Sequence, residues 1–329
     1  MPFHPSITRR HALLGAAALS APWLARAQSG WPTKPVTMIV PFPAGGGTDA
    51  FARPLAAQFG KVTGGKALVI DNRGGAGGTL GASVAAKLPG DGYNWFMGGA
   101  HHMVAPSMYP KLDYDIEKDF VPLIQVASVP QVLVVNPKRV TQATAKELIE
   151  YLRKNPGKMN YASAGAGSVH HLAGELFKIQ TKTFITHIPY RGAGPALQDL
   201  ITGTVDMLFD GLGSSAGHIK GGRIKALMVA GKQRNPAIPD VPSAAEVGLP
   251  DYDVHTWYGI WAPKGAPPEA QTAAIEAIRK ACQEPEAKTV WQGQGADFPN
   301  VAGPDFAKLI HAEIRKWAQV VKASGAKLE

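Results

Sequence analysis

The chain is almost without cysteine. Cys282 is the only one in 329 residues, which excludes an intrachain disulfide framework, thiolate metal clusters and attached c-type haem. It lies in AAIEAIRKAC, an amphipathic run where a free thiol packs as a small hydrophobe. There is no HExxH pair, so no metal is expected. Lysine and arginine exceed aspartate and glutamate by nine, yet no three basic residues are consecutive. Aromatic–basic interleaving, zinc-finger spacing and a helix-turn-helix pattern are lacking as well, which argues against nucleic acid as a partner. Beyond the N-terminus no apolar run approaches the length of a membrane span.

What is present is the composition of a soluble globular protein, 45% hydrophobic and 18% charged. The length predicts two domains, each with its own core. The first 27 or so residues read as an export leader. Arg9 and Arg10 precede an apolar run from Ala12 to Leu24, and Ala25-Arg26-Ala27 offers a small-x-small cleavage site. The spelling TRRHALLG resembles a twin-arginine signal, with Ala12 where Phe is frequent, and general secretion also tolerates two arginines. A soluble protein released outside the cytoplasm, into the periplasm, is expected. The leader holds three of the arginines and no acid. The milder positive balance of the remainder suits attraction of small anions, and equally a solvated basic surface.

The dominant pattern is a short apolar strand, a glycine turn and a helix, repeated along the chain. Residues 36–42 lead into PAGGGTD, 66–72 into RGGAGGTLG, and 93–97 into GGAHH. A second series starts near residue 130: VLVVN, then MNYAS before AGAGS, FITHIPY before RGAG, VDMLFD before GLGSS, and RIKALMVA. The strands do not alternate polar with apolar, as expected for parallel strands buried on both faces. Such alternation predicts an α/β protein with parallel-rich sheets. Ligands then bind outside the carboxyl ends of the strands, where the glycine loops lie. YGIWAP reads as one more strand, and helices at 269–284 and 304–323 end the chain, returning to the first half. Two lobes follow, residues 28–126 plus 250–329 and residues 127–249, joined by two crossings that make a hinge.

Three chemistries compete for parts of this pattern. GGGTDA after a strand fits G-x-G-x-x-A, and Asp71 closes the next strand where a dinucleotide fold places its ribose-binding acid. An exported NAD(P)-binding oxidoreductase is therefore one alternative. Asp49 opposes it, because it sets a negative charge at the helix N-terminus where pyrophosphate would sit. Its structural role is expected to be the helix N-cap. Gly213-Ser214-Ser215-Ala216-Gly217 fits G-x-S-x-G with Ser215 as nucleophile, the signature of a serine hydrolase, but no separate oxyanion glycine motif accompanies it. His101-His102 and His170-His171 with Glu175 could be read as metal ligands, although adjacent histidines point in different directions. A local packing or hydrogen-bonding role is expected for His170 and His171.

The segments PFPAGGGTD, DNRGGAGG, YDIEKDF, YASAGAGSVHHLAGELF, PYRGAGPALQDLITGTVDMLFD and IPDVPSAAEVGLP resemble the solute-binding proteins of tripartite tricarboxylate transporters, the Bug receptor family. The likeness runs in order through nearly the whole exported chain. It implies a two-lobed periplasmic binding protein of venus-flytrap, type II-like form, with no enzymatic activity and no cofactor. It also implies capture of a small carboxylate for a membrane permease or a sensor, and a monomer is expected. By the same resemblance one carboxylate is held by Phe42 and by the loop Ala44, Gly45, Gly46, Thr48 and Asp49, with Gly77 and Gly78 in a second loop. The other lobe supplies Ser163, Ser168, Tyr190, Arg191, Gly192 and Asp210. Gly75 departs from the family's frequent Pro, and His101-His102 replace small polar residues. The spelling HHMVAPSMYP resembles the subset that takes aromatic carboxylates such as terephthalate, which makes His102 a candidate ligand contact. The planar guanidinium of Arg191 matches a carboxylate in two-pronged fashion, with Tyr190 beside it as an aromatic wall.

Overall fold

Nine strands are linked in the computed structural model, which describes Met1 and residues 30–324: eight follow one path, and the ninth branches from a strand in its middle. The arginine pair and cleavage site of the leader lie outside the described residues. From Pro32 the chain forms one compact unit. In the first half, β1 (Val36–Val40) pairs in parallel with β2 (Leu68–Asn72) and β3 (Asn94–Gly99). In the second, β5 (Asn160–Ser163) pairs in parallel with β6 (Thr186–Pro189) and β7 (Met207–Gly211). β1, β3, β5 and β7 are short and mostly buried without alternation, as in a sheet covered on both faces, whereas β2 and β6, at the ends of the strand order, are more exposed.

The middle of the structure is antiparallel, which the strand–helix alternation does not reveal. β4 runs sixteen residues, Phe120–Val135, where the sequence pattern suggests only 132–136. Its first part pairs with β9 (His255–Pro263), ending at Pro130 opposite His255. Its last five residues pair with β7 on one side, and Val132–Val135 pair with β8 (Lys225–Val229) on the other. β9 in turn pairs with β3. Two prolines inside β4, Pro122 and Pro130, hide it from pattern reading, since proline normally demotes a strand.

Helices fill the connections: α1 (Gly47–Val62), α2 (Thr79–Ala86), α3 (Ala100–Met108), α4 (Ala145–Lys154), α5 (Val169–Thr181), α6 (Ala193–Thr202) and α7 (Leu212–Lys220). The chain ends on α8 (Pro268–Gln283), α9 (Pro285–Gly293) and α10 (Gly303–Ser324). α8 packs on α1, and α10 packs on α3 and β4. α9 is not evident in the sequence. Its Trp291 seats against Phe51 of α1, with ring centroids 5.8 Å apart. Cys282 is buried in α8, as its amphipathic run implies.

Asp49 is not the N-cap of α1. Gly46 is, with no side-chain cap, and Asp49 lies in the first helical turn. Its carboxylate faces back instead. Oδ2 accepts from the Gly45 amide at 3.0 Å and from Arg53 Nε at 2.7 Å, and Oδ1 accepts from Asn72 Nδ2 at 3.1 Å. The same Asn72 nitrogen donates to the Phe42 carbonyl at 2.9 Å. One amide at the end of β2 thus ties both ends of the glycine turn after β1. Asn72→Ala should therefore lower stability by about 1–3 kcal/mol. Urea unfolding of the variant against the parent measures this, with the m-value unchanged.

Candidate functional site

Where the two halves meet, four helices begin around one small cavity. It is lined by Phe42, Gly46, Gly47, Thr48, His101, Thr256 and Tyr258 from the first half, and by Ala164, Ser168, Val169, His170 and Ala193 from the second. Gly46–Thr48 open α1, His101 lies in the first turn of α3, Ser168–His170 open α5, and Ala193 opens α6. The first amides of a helix have no partner within it and carry its positive dipole end. Only α5 spends an N-cap side chain on its own first turn, Ser168 Oγ accepting from His171 N at 3.3 Å. α1 and α6 begin at glycines with no side-chain cap. No carboxylate, lysine or arginine lines the cavity. Helix starts of this kind, with the charge of Asp49 paired to Arg53, give the wall the positive ends of backbone dipoles.

Glycine is required where these walls approach each other. At Gly78, φ is +95° and a Cβ would meet Phe42 and His101. Phe42 stands edge-on to His101, with ring centroids 4.8 Å apart. Gly47 packs directly beneath the hydroxyl of Tyr258, leaving no room for a side chain. The cavity itself holds about 30 Å³, space for two or three waters at most. Phe42, Ala164 and Ala193 pack together around it.

The two adjacent histidines of α3 divide their work. His102 is buried and fully engaged: Nδ1 accepts from the Gly99 amide at 3.2 Å, which leaves Nε2–H to donate to the Gly78 carbonyl at 3.3 Å. His101 lines the cavity, and its Nε2 has no partner. The sequence reading favours His102 as the ligand contact, whereas the geometry brings His101 to the cavity and gives His102 to the loop. His170 also lines the cavity with an unpartnered Nδ1, and its Nε2 stands 3.6 Å from Asp210 Oδ1. Burial, with His102 and His170 nearby, holds His101 well below the usual imidazole range. Burial likewise lowers His170, partly offset by Asp210. His102 is brought down to about 4 by burial, against two backbone hydrogen bonds that raise it. All three rings are therefore neutral imidazoles near pH 7, two at the cavity and His102 behind it.

The other anticipated residues fall into distinct places. Phe42, Gly46, Thr48 and Ser168 line the cavity. Ala44 and Gly45 line a neighbouring space of about 310 Å³, across from Gly194, Gln198 and His218. Gly77 and Gly78 form the wall behind Phe42 and against the 164–167 loop. Ser163 is buried under that loop, accepting from the Gly165 amide at 3.1 Å and meeting His187 Nε2 at 2.6 Å. Tyr190 turns away to donate to Asp199 at 2.6 Å, and Arg191 is exposed outside the cavity. Gly192 backs onto Pro43 across the cleft. Asp210 is wholly buried behind His170 and accepts the hydroxyls of Ser214, at 2.7 Å, and Ser215. Ser215 is thereby a buried donor to a carboxylate and not an exposed nucleophile. Thr256 and Tyr258 went unnoticed in the sequence, although they are spaced two apart on one face of β9.

Among the described residues no group of three or more His, Cys, Asp or Glu could hold a metal, and no helix is long and apolar enough to cross a membrane. The histidines give the protein a pH signature. Their pKa values are lower in the folded state than in the unfolded one, so the unfolded chain binds more protons below about pH 6.5. Their contribution is complete above that value and is lost as pH falls towards about 4, where His102 titrates. The urea midpoint of the ligand-free protein should drop between pH 7 and pH 5. His102→Gln should flatten that slope by up to about 1.4 kcal/mol per pH unit.

Comparison with known proteins agrees with this geometry. Residues 51–326 match the model of the tripartite tricarboxylate transporter family receptor. Protein BugT of Bordetella pertussis is 36% identical, over 98% of this chain and 100% of its own. Among solved structures, Rpa4515 of R. palustris with adipate is 35% identical with a TM-score of 0.86, covering 91% of this chain and 100% of its own. MatC of Rhodopseudomonas palustris with bound malate is 34% identical with a TM-score of 0.82, covering 88% and 100%. These proteins bind substrates and do not transform them, which removes the oxidoreductase and hydrolase alternatives. The chain belongs to the tripartite tricarboxylate transporter receptors, the Bug family of periplasmic solute-binding proteins.

Proposed function

We propose that this protein captures a small di- or aromatic carboxylate between its lobes and presents it, closed, to a tripartite permease in the membrane. The observation that carries this reading is the meeting of helix N-termini at a buried cavity that no charged side chain lines. Each charge-assisted bond from an amide to a carboxylate is worth about 1.5–3 kcal/mol, and several together need no fixed cation. The carboxylates bound by the two related structures, adipate and malate, support the same class. In this reading one carboxylate meets the amides of residues 46–48. The Ser168 and Ala193 ends of the second lobe close on it, with residues 28–126 plus 250–329 moving against 127–249. The aromatic rings of Phe42, His101 and Tyr258 in the lining suit a ligand with an apolar body. At about 30 Å³ the closed cavity is smaller than such a molecule, so entry requires the lobes to part.

A thermal-shift screen with malate, adipate, terephthalate and citrate tests the class. A carboxylate at about one hundred times its dissociation constant adds about 2.7 kcal/mol and raises the melting temperature by several degrees. A shift with NAD(P) and none with any carboxylate would refute it. Gly46→Val should abolish the carboxylate shift with little change in the ligand-free melting temperature. A Cβ there finds room, 3.5 Å from the Pro43 carbonyl, but the valine methyls would extend towards the Ala193 and Gly194 amides across the cleft and prevent closure.

A further inference from the structure

Two buried ring nitrogens of residues that line the cavity have no partner in the protein, Nδ1 of His170 and Nε2 of His101, and behind them Oδ1 of Asp210 has none either. An unpaired polar atom away from water is costly, and two from the lining of one cavity point to an occupant. His170 differs from His101 in what stands behind it. Its Nε2 lies 3.6 Å from Asp210 Oδ1, just beyond hydrogen-bond distance. The other oxygen of Asp210 is already taken by Ser214 and Ser215. His101 is backed by another imidazole, His102, with ring centroids 4.0 Å apart.

We propose that His170 is a proton-linked anion contact: it takes up one proton from solvent as a carboxylate enters the cleft, and Asp210 is the residue that positions its ring. This rests on the carboxylate reading above. In the empty protein Nε2–H faces Asp210 and Nδ1 presents a lone pair, which repels a carboxylate oxygen. One solvent proton added at Nδ1 turns that lone pair into an N–H donor. The imidazolium then lies between two anions, the ligand and Asp210. No bond other than this N–H forms or breaks, and the net change is one proton bound per ligand.

The surrounding groups allow this at His170 and oppose it at His101. The titratable groups around His170 are Asp210 on β7 and His101 on α3, with Tyr258 on β9 and His218 on α7 facing Asp210 from beyond. Asp210 favours a charged His170, while a charge on His101 would face two other imidazoles. Burial keeps His170 neutral until the ligand arrives. The cleft thus acquires its one cation only when an anion is present to pair with it.

Calorimetry on the full protein with malate, adipate and terephthalate, in buffers of different ionisation enthalpy, counts the protons directly. About one proton taken up per bound carboxylate is expected, with affinity falling about tenfold per unit as pH rises from about 6 to 8. His170→Gln keeps a hydrogen-bonding side chain without a titration, and should bind with a pH-independent affinity. Asp210→Asn should reduce the uptake in the same direction. Carboxylate binding with no proton uptake overturns the proposal and leaves the carboxylate reading standing. So does a slope that survives in His170→Gln, or one removed by His101→Gln alone. No binding of any of the three acids overturns both.

Discussion

The carboxylate of Asp49 holds the glycine turn after β1 in place. It is buried, and it accepts from the Gly45 amide, from Arg53 and from Asn72. A glycine loop left to itself samples many conformations, and its amides would lose most of their value if they had to be ordered at the moment of binding. Here Asp49 fixes the backbone before Gly46, and Asn72 fixes Phe42 through the same nitrogen. The amides of Gly47 and Thr48 are therefore aimed in advance. The position of β2 beside β1, in a register that sets Asn72 opposite Val40, makes this bridge possible.

The second jaw is stiffened by the same logic with different chemistry. Ser163 accepts from the Gly165 amide, and Nδ1 of His171 accepts from the Gly167 amide at 3.2 Å. The ring of His171 stacks on His187, centroids 4.1 Å apart, and Tyr161 also stacks on His187, at 4.9 Å. Each jaw thus has a flexible spelling and a rigid backing. The side chains that do the stiffening sit one layer behind those that line the cavity.

This layering explains what could be read in advance. The strand–glycine–helix rhythm located β1, β2, β3, β5, β6 and β7 and the loops after them, because it depends only on local chain direction. The antiparallel centre was not legible, since the pairing of β4 with β9 joins residues more than a hundred apart and Pro122 and Pro130 disguise the strand. At the cavity, the glycine turn that holds Gly46 was legible because glycine itself is the signal. Side-chain roles were less so. His101 and His102 are neighbours with opposite fates, decided by which of them the Gly99 amide and the Gly78 carbonyl engage. Tyr190 and Arg191 looked like binding residues by type. The Asp199 carboxylate draws the first away, and the second projects from the turn before α6.

The shared strand β4 has a mechanical consequence. Where it leaves one half for the other, it is not a loose linker: Ser128, Val129 and Pro130 are paired with Trp257, Thr256 and His255, and the Gln131 amide donates to the Val254 carbonyl at 2.9 Å. A two-stranded ribbon resists shear and stretch but bends across its flat face. The two groups of parallel strands are thus joined by paired backbone, and any motion between them has to bend this ribbon. Thr256 lies in that ribbon and also lines the cavity. The strand pairing that joins the two parts of the sheet and the wall of the cavity therefore share a residue.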